Sequence, residues 1–378
     1  MKDSLARIKR IIHNISSQMY NAEEYLESDE RIITKQEFID LVERSADCKY
    51  FDFIKDLEAI EEEVEDPDEE EYLSKFIEFL RNWTGKDNGF VRILRREKTR
   101  SGRTFFSIEY NCLHPGTLSS NLFSSAYCSI LMSGTLTPTE MYRDILGLNK
   151  STVLKEYTNP FPKENRKIII SKAITTKFED RTDEMFKKIA IACAQVINNV
   201  NGNSAVFFSS YDTLHKTMKY LEGIVNKQLF VEGRNMTKEE RSQLLANFKI
   251  GLVRGGGAII GVQGANFSEG IDLPGELLTA VVVVGLPFAP PDLKQKAIID
   301  YYENNFGRGW DYGYIFPAIN KSLQAAGRCI RSETDKGLII LLDKRFAWSK
   351  YSKILPADWT VEVTDEFGKE VSEFFEKN

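Results

Sequence analysis

From about residue 105, the chain alternates short apolar runs with longer amphipathic segments, and this alternation restricts the fold strongly. Such a pattern is typical of parallel strands joined by crossover helices. The apolar runs cover residues 127–132, 167–170, 205–209, 229–231, 258–262, 279–284 and 338–342. Helices are predicted between them at 139–147, 180–199, 211–222, 237–249 and 292–305. The sequence therefore predicts an α/β fold with a parallel sheet and flanking helices.

The first part of the chain follows a helical period. Apolar residues recur at steps of three and four, beginning with Leu5, Ile8 and Ile12, and this spacing predicts amphipathic helices. Thr34 and Glu37 have the spacing of a capping box, so a further helix is predicted to begin there. We therefore predict a mostly helical domain in front of the sheet.

Two strand-like segments at 90–97 and 103–110, joined by turn-forming residues, predict a β-hairpin. The hairpin is rich in basic residues, namely Arg92, Arg95, Arg96, Lys98, Arg100 and Arg103. A basic ribbon of this kind suits the phosphate backbone of a nucleic acid. An ordinary solvated hairpin has the same composition, so both interpretations stay open.

Charge and cysteine content exclude several classes of function. The formal net charge of -6 provides no overall basic field, so nucleic-acid binding requires a local patch. The five cysteines include no CxxC pair, which indicates reduced thiols and no metal site in this chain. No apolar run reaches the roughly 20 residues of a membrane span, and the N-terminus lacks the apolar region of a signal peptide. We predict a cytoplasmic protein with no membrane partner.

Polar turns follow three of the predicted strands, at the edge where parallel sheets bind ligands. In the second turn, Ser209-Ser210-Tyr211, the small hydroxyl groups suit a phosphate and the aromatic ring suits a base. In the third, a glycine allows close backbone approach, and carboxylates suit ribose hydroxyls or arginines. A strand-to-helix turn also needs such residues with no ligand bound, so the functional interpretation rests on their joint occurrence. The turns are Ser133-Gly134-Thr135, Ser209-Ser210-Tyr211 and Ser268-Glu269-Gly270-Ile271-Asp272.

Residues 324–331 place Gln324, Arg328 and Arg331 at positions i, i+4 and i+7. On a helix these three side chains share one face, and two arginines presented together suit a polyphosphate. Gly327 lies within this helix, where glycine costs about 1 kcal/mol relative to alanine, which predicts close approach of a backbone or ligand. The alternative is a surface helix with two solvated arginines.

The chain resembles motifs III to VI of the superfamily 2 DNA helicases in five segments, taken in order. These segments are 133–136, 207–211, 268–272, 324–331 and 342–346. More narrowly, they resemble the xeroderma pigmentosum group D (XPD) family and its DinG relatives, with archaeal members the most similar. The resemblance implies a RecA-like sheet preceded by a helical, Arch-like domain. Residues 1–104 would form the Arch-like domain with its hairpin, and 161–378 the second RecA-like motor domain. Residues 105–160 would form the last strand and helix of the first motor domain, with a hinge.

The resemblance also implies an activity and a role for each motif residue. The activity is ATP-driven movement from 5′ to 3′ on single-stranded DNA, used in nucleotide excision repair. One of the two arginines would contact the γ-phosphate of ATP as an arginine finger. The implied roles are catalytic for Arg331, Arg328 and Gln324, ATP-binding for Gly270, Asp272 and Glu269, DNA-binding for Ser209, Ser210, Tyr211 and Ser268, and coupling for Ser133, Gly134 and Thr135.

Three parts of the family pattern are missing from the sequence: the GxxxxGK[ST] phosphate loop, the DEAH-type magnesium box and four iron–sulfur cysteines. In the family these precede the Arch domain, so we interpret the chain as the C-terminal portion of a longer helicase. ATP, Mg²⁺ and an iron–sulfur cluster are then expected in the complete enzyme, with the Mg²⁺ ligands and the cluster outside this chain. The isolated chain is predicted to hydrolyse no ATP.

The partners expected from this interpretation are single-stranded DNA, the missing N-terminal motor and iron–sulfur domains, and repair proteins bound through the Arch-like domain. The alternative function is a non-enzymatic module with a motor-like fold that binds single-stranded DNA or docks a partner. A dinucleotide-binding oxidoreductase is disfavoured, because no GxGxxG follows the first strand of a βαβ unit.

Overall fold

The computed structural model describes residues 2–21, 29–99, 101–269, 273 and 277–376. These residues form two compact units. Unit 1 comprises the described residues of Met1–Tyr127, Ile145–Leu148 and Pro290–Gly309. Unit 2 comprises the described residues of Cys128–Asp144, Asn149–Ala289 and Trp310–Asn378. Among the described residues, each unit contains a cluster of buried apolar side chains, so each unit has its own core.

The strands and helices are numbered here in chain order. The strands are β1 (Glu30–Ile32), β2 (Phe90–Lys98), β3 (Thr104–Cys112), β4 (Arg166–Ile170), β5 (Ser204–Phe208), β6 (Gln228–Val231), β7 (Gly257–Val262), β8 (Ala280–Val284), β9 (Gly337–Leu342) and β10 (Val361–Val363). The helices are α1 (Lys2–Asn21), α2 (Lys35–Ala46), α3 (Tyr50–Glu61), α4 (Pro67–Trp83), α5 (Gly116–Ser125), α6 (Thr139–Ile145), α7 (Asp183–Asn199), α8 (Tyr211–Leu221), α9 (Lys238–Gly251), α10 (Asn266–Glu269), α11 (Leu293–Phe306), α12 (Phe316–Ala326), α13 (Ser349–Ser352) and α14 (Phe367–Glu376).

Unit 1 begins with the helices α1 to α4, as the helical period predicts. The capping box at the start of α2 is confirmed: Glu37 N donates to Thr34 Oγ1 at 3.2 Å, and Thr34 N donates to Glu37 Oε2 at 2.6 Å. The apolar faces meet around Phe38 and Trp83, whose rings lie 4.7 Å apart. The short strand β1 was not predicted, because three residues are too few for a periodic signal.

The predicted hairpin is confirmed as β2 and β3, and β1 adds a third antiparallel strand beside β2. Helix α11 belongs to the same unit, although its neighbours in sequence belong to unit 2. It packs Leu293, Ala297 and Tyr301 against Val91 and Ile93 of β2. Burial of these apolar side chains holds the helix on the hairpin.

Unit 2 is built on the predicted parallel sheet. Within the described residues its seven strands have the order β10-β4-β9-β8-β5-β7-β6, and every neighbouring pair is parallel. The inner strands β5, β7, β8 and β9 are buried along their whole length, as expected for strands covered on both faces by helices. The α/β fold with flanking helices is therefore confirmed.

The strand predicted at 127–132 is wrong. This segment forms no strand, and its apolar side chains face solvent: Ile130 is 79% exposed and Met132 is 86% exposed. A strand needs a neighbour to pair its N–H and C=O groups, and no neighbouring strand pairs with this segment within the described residues.

Among the described helices, none combines the length and apolar content needed to cross a membrane.

Candidate functional site

The carboxyl ends of the central strands of unit 2 are joined by a buried glutamine that follows β7. Gln263 Nε2 donates to the carbonyl oxygens of Phe207, Val284 and Gly285 at 3.0 to 3.3 Å. Its Oε1 accepts a hydrogen bond from Ser322 Oγ of α12 at 2.7 Å. Gln263 therefore fixes α12 to the edge of the sheet where the motif residues lie. No sequence pattern marks Gln263 for this role, because its importance depends on the order of the strands.

Helix α12 ends at Ala326, so the prediction that Gln324, Arg328 and Arg331 share one helix face is wrong. A 3-10 turn follows at Gly327–Cys329, and Ile330 is extended with φ −134°. The chain must turn here to enter β9, and no atom lies within 4 Å of the place where a Cβ of Gly327 would stand. The close approach predicted at Gly327 is therefore not made within the described residues.

Two of the predicted motif residues meet at the exposed end of α12. Gln324 Nε2 donates to Thr135 Oγ1 at 3.2 Å. Thr135 belongs to an exposed turn in which its backbone N–H donates to Ser133 Oγ at 3.3 Å, with Gly134 between them. The structure thus brings the predicted coupling turn to the predicted catalytic glutamine.

A second contact joins the arginine turn to the segment after β7. Arg328 is half-buried, and its Nε donates to the carbonyl oxygen of Ser268 at 2.8 Å. The hydroxyl of Ser268 is buried and donates to Ala265 O at 3.0 Å, so in this conformation it faces the protein interior. Ser268 therefore positions Arg328 through its backbone.

Arg331 has an exposed side chain on a turn shaped by Asp335. The carboxylate of Asp335 accepts hydrogen bonds from the backbone N–H groups of Arg331 and Ser332 at 2.7 and 2.9 Å. Burial tends to raise the pKa of Asp335, but hydrogen bonds from Ser332 and these amides outweigh it and lower the pKa. The carboxylate is therefore ionised and holds the turn that presents Arg331.

The turn after β5 has polar groups at the same edge of the sheet. Ser210 caps α8, and its Oγ accepts from Thr213 N at 3.2 Å. The ring of Tyr211 is half-buried, with the Arg234 guanidinium 5.0 Å from its centre. Ser209 N donates to Val284 O at 2.9 Å, while its hydroxyl is buried with no hydrogen-bond partner among the described residues. Tyr211 of this turn, together with Arg234 from the segment after β6, is thus best placed to meet a ligand.

Part of the predicted ATP-binding set cannot be placed. Gly270 and Asp272 lie outside the described residues, and Glu269 is described as the last residue of α10 without its side chain. Their assignment to ATP binding stays a prediction.

A buried ion pair follows β9. Asp343 is fully buried, and its carboxylate accepts from Arg345 Nε at 2.8 Å and from Arg345 NH2 at 2.7 Å. It also accepts from Thr176 N at 2.8 Å, in the segment after β4. The pair therefore ties together the polar ends of two strands that are neighbours in the sheet. The motif segment 342–346 contained both residues, but the spacing gave no sign of this role.

An aromatic patch lies beside this ion pair in unit 2. We define it as Phe288, Trp310, Tyr314, Trp348 and Tyr351. The rings of Phe288 and Tyr314 are stacked at 4.5 Å with an angle of 8°, and Arg345 lies 5.5 Å from the centre of the Phe288 ring. Trp310 stands edge-on to Tyr314 at 5.3 Å and is 57% exposed. Large exposed aromatic surfaces of this kind bind bases by stacking.

The arginines of the hairpin in unit 1 are largely engaged inside the protein. Arg92 is buried, donates to Trp83 O at 2.8 Å and lies 4.4 Å from the centre of the Tyr110 ring. Arg95 forms ion pairs with Glu30, Glu109 and Asp292, and Arg96 pairs with Asp29. Lys98 and Arg103 are exposed, and Arg100 lies outside the described residues. For the three buried or paired arginines, the structure supports the ordinary-hairpin interpretation over a ribbon that tracks DNA.

Metal-binding side chains are not gathered anywhere in the described part of the chain. No group of three or more His, Cys, Asp or Glu residues there is arranged to hold a metal ion. The Cys329 thiol is buried, and burial raises its pKa to about 12, so it stays protonated at neutral pH and is a poor metal ligand.

Residues 193–362 match the family model described as "Helicase C-terminal domain". The chain is 28% identical over 315 residues to the probable ATP-dependent helicase MJ0942 of Methanocaldococcus jannaschii, covering 79% of this chain and 44% of the relative. It is 30% identical over 241 residues to the ATP-dependent DNA helicase XPD of Sulfolobus acidocaldarius, covering 61% of this chain and 42% of the relative. It is 28% identical over 280 residues to the ATP-dependent DNA helicase DinG of Photobacterium profundum, covering 71% of this chain and 39% of the relative. The chain thus spans less than half the length of these relatives.

Solved structures show the same fold. A structure described as an XPD helicase aligns with a TM-score of 0.58 and 23% identity, covering 77% of this chain and 50% of the other. Apo XPD aligns with a TM-score of 0.58 and 24% identity, covering 82% and 62%. The structure of Xpd4 from S. tokodaii aligns with a TM-score of 0.53 and 16% identity, covering 93% and 74%. These alignments show a shared architecture for most of the chain.

Proposed function

This chain is related to the XPD/DinG-type superfamily 2 helicases, and on that premise we propose that it supplies the second motor domain of an ATP-dependent DNA helicase. The observation that supports this most directly is the meeting of Gln324 with Thr135 and of Arg328 with Ser268. These contacts gather polar groups of separate motif segments in unit 2. In the proposed domain organisation, 161–378 is the second motor domain, 105–160 closes the first, and 1–104 is the Arch-like domain.

Arg328 and Arg331 are proposed to face the phosphates of ATP bound to the missing first motor domain. Guanidinium groups suit phosphate oxygens because they offer several charged donors in a fixed plane. An arginine finger that stabilises charge on the transferring phosphoryl group is worth about 10³ to 10⁵ in rate. Gln324 is proposed to orient the water or phosphate beside them, and Ser133, Gly134 and Thr135 to pass the nucleotide state to the rest of the motor. Glu269, Gly270 and Asp272 are proposed to complete the ATP side.

ATP fits this edge of unit 2 in part. Gln324 and Arg331 are exposed there and offer donors to an anion. The sequence has no phosphate loop, so the cradle for the phosphates must come from the other motor domain. Mg²⁺ and an iron–sulfur cluster do not fit the described residues, which hold no suitable ligand group. We assign both to the missing domains of the complete enzyme.

Single-stranded DNA is proposed to bind unit 2 at the aromatic patch and at the Ser209–Tyr211 turn, with Ser268 supporting the site. Trp310 and Tyr314 offer ring faces and edges to bases, and stacking is independent of base sequence. Arg234 and Lys350 are exposed and can meet phosphates near Tyr211 and Trp348 respectively. The polarity from 5′ to 3′ and the role in nucleotide excision repair are proposed from the similarity to XPD.

The exposed segment 127–132 is proposed to be the place where the missing motor domain joins. The segment contains three consecutive apolar residues, Ile130 to Met132, and Ile130 and Met132 are largely exposed. The sheet edge of a partner domain would pair the backbone and bury these side chains, as in strand addition. Repair proteins are proposed to bind through the Arch-like domain.

The isolated chain is the first object to test. We expect salt-dependent binding of a fluorescent oligothymidylate, with affinity falling as salt rises because counterions are released from the phosphates. We also expect no measurable DNA-stimulated ATP hydrolysis, because the phosphate loop is missing. Turnover that disappears in Arg331→Ala would overturn the division of the ATP site between two domains.

The alternative is a non-enzymatic module that binds single-stranded DNA. The aromatic patch is the observation that favours it, since stacking on exposed rings needs no nucleotide. The two proposals differ in the effect of Arg328→Ala and Arg331→Ala once the missing motor domain is present. In the helicase they abolish ATP hydrolysis, whereas in the binding module there is no hydrolysis to lose.

A further inference from the structure

A buried carboxylate at the end of β6 takes no part in the roles described so far. Glu232 is 1% exposed. Its Oε2 accepts from Val262 N at 3.1 Å, and its Oε1 accepts from Asn266 Nδ2 at 3.4 Å. Glu232 therefore holds both ends of the turn that leads from β7 to α10.

The neighbouring strand β7 passes close to this carboxylate at a glycine. A Cβ placed on Gly261 of β7 would lie 2.7 Å from Glu232 Oε2. Any side chain at position 261 would push the carboxylate away from Val262 N. The absence of a side chain at Gly261 thus leaves the space that the carboxylate occupies.

Stability does not explain why an ionised group stands here. Burial raises the pKa of Glu232, and the hydrogen bonds from Val262 and Asn266 reverse only part of that rise. A carboxyl group whose pKa is raised by folding stabilises the fold below its ordinary pKa, and this contribution is lost as pH rises through the folded value. At neutral pH the buried charge therefore works against folding.

The turn that Glu232 holds leads directly to the arginine. Ala265 N donates to Val262 O at 3.0 Å, and Ser268 N donates to Ala265 O at 3.2 Å. The carbonyl oxygen of Ser268 then accepts from Arg328 Nε at 2.8 Å. These hydrogen bonds connect the turn to Arg328, so a displacement of the turn changes the position of the guanidinium.

We propose that Glu232 is a positioning residue whose carboxylate fixes the turn between β7 and α10 and, through Ser268, sets the place of the Arg328 guanidinium. The inference deepens the proposed function and rests on it, since Arg328 has a task only if the site binds DNA or ATP. The geometric part concerns this chain alone and can be tested separately.

The geometric part is tested by hydrogen exchange on the full chain. In Glu232→Gln, one of the two acceptor oxygens is replaced by an NH₂ donor and the charge is gone, so Val262 N and Asn266 Nδ2 no longer both have an acceptor. We expect the amides of 262–268 to exchange about tenfold faster, the loss that one charge-assisted hydrogen bond represents. Glu370→Gln is the matched control, because Glu370 is also buried in unit 2 but pairs with Lys167. It should leave 262–268 unchanged.

A milder variant guards against misfolding of Glu232→Gln. Asn266→Ala removes one of the donors to the carboxylate, and we expect about threefold faster exchange over the same residues, a fraction of the loss for the whole group. Wild-type exchange at 262–268 in both folded variants overturns the proposal. So does equal acceleration in Glu370→Gln, which would show a general loss of stability.

The functional part is tested by the pH profile of oligothymidylate binding, because Ser268, at the end of the turn that Glu232 holds, is proposed to support the DNA site. As pH falls, wild-type affinity should decline while Glu232 takes up its proton, at a higher pH than an ordinary glutamate because burial raises the pKa of this carboxyl group. The Arg234 guanidinium and Tyr211, whose pKa is raised by burial, are the other charged or titratable groups near this carboxylate. Glu232→Gln should bind about tenfold more weakly at pH 8 and lack this decline, and Glu370→Gln should keep it.

The two tests separate the two ideas. If the wild-type chain binds no oligothymidylate, the proposed DNA binding fails, and hydrogen exchange still decides the role of Glu232. If the wild-type chain binds and Glu232→Gln follows the same pH profile with the same affinity, the positioning role is refuted and the proposed function stands.

Discussion

Replacing Asp343 with alanine should destabilise unit 2 more than most single changes. The carboxylate is fully buried and accepts from Arg345 Nε and NH2, from Arg345 N at 3.0 Å, and from Thr176 N and Oγ1. Asp343→Ala leaves the Arg345 guanidinium buried with no counter-charge. Breaking a buried ion pair in this way costs about 3 to 5 kcal/mol of unfolding free energy.

Equilibrium urea unfolding, followed by circular dichroism, measures this loss. The double variant Asp343→Ala/Arg345→Met removes both charges and should recover a large part of it, because no unpaired charge remains. Arg31→Ala is the control, since its ion pair with Glu37 is solvent-exposed and should be worth less than about 1 kcal/mol. A loss below about 1 kcal/mol in Asp343→Ala, or a double variant less stable than the single one, would refute the reasoning.

Three further changes test other parts of the structure. Trp310→Ala should weaken oligothymidylate binding by about 1 to 3 kcal/mol, the value of one base stacked on a ring, whereas Tyr72→Ala, at a ring 75% exposed in unit 1, should leave the dissociation constant unchanged. Arg95→Gln removes ion pairs to three carboxylates of unit 1 and should lower its unfolding free energy by about 2 kcal/mol in urea titration, with wild-type stability contradicting that estimate. Asp335 has a lowered pKa, so its carboxylate stabilises the fold above the ordinary pKa of an aspartate, and this contribution is lost as pH falls through the folded pKa. Asp335→Asn should therefore be less stable than wild type at pH 7. Melting temperatures measured across pH should show the two proteins converging in acid.

The sheet of unit 2 could be predicted because its strands are buried on both faces. Continuous apolar runs such as 258–262 and 338–342 have one stable place in a protein, the inside of a covered sheet. The segment 127–132 has the same composition and yet forms no strand. Its sequence contains no information on whether a neighbouring strand is present, and pairing decides the outcome.

The candidate site was predictable in its residues and less so in its geometry. Gln324 and Arg328 were identified from spacing, but the helix ends at Ala326, because the chain must turn to reach β9. Contacts between distant segments cannot be read from spacing. The aromatic patch, for example, assembles Phe288 and Trp310, which are separated by the whole of α11.

The role of basic residues was the hardest to foresee. Arg92 and Arg95 have the composition and spacing of a DNA-binding ribbon. The structure places one against the rings of Trp83 and Tyr110 and the other among carboxylates. A charge pattern in one strand does not show which opposite charges the fold brings to it.

The central claim is that this chain provides the arginine-bearing half of an ATP site. It is tested most directly by a chimera in which residues 161–378 replace the corresponding domain of the Sulfolobus acidocaldarius XPD helicase. We predict DNA-stimulated ATP hydrolysis in the chimera and a fall of about 10³-fold or more in Arg328→Ala or Arg331→Ala, because an arginine finger has that worth. A folded chimera that binds DNA and hydrolyses ATP equally well with both arginines replaced would contradict the account.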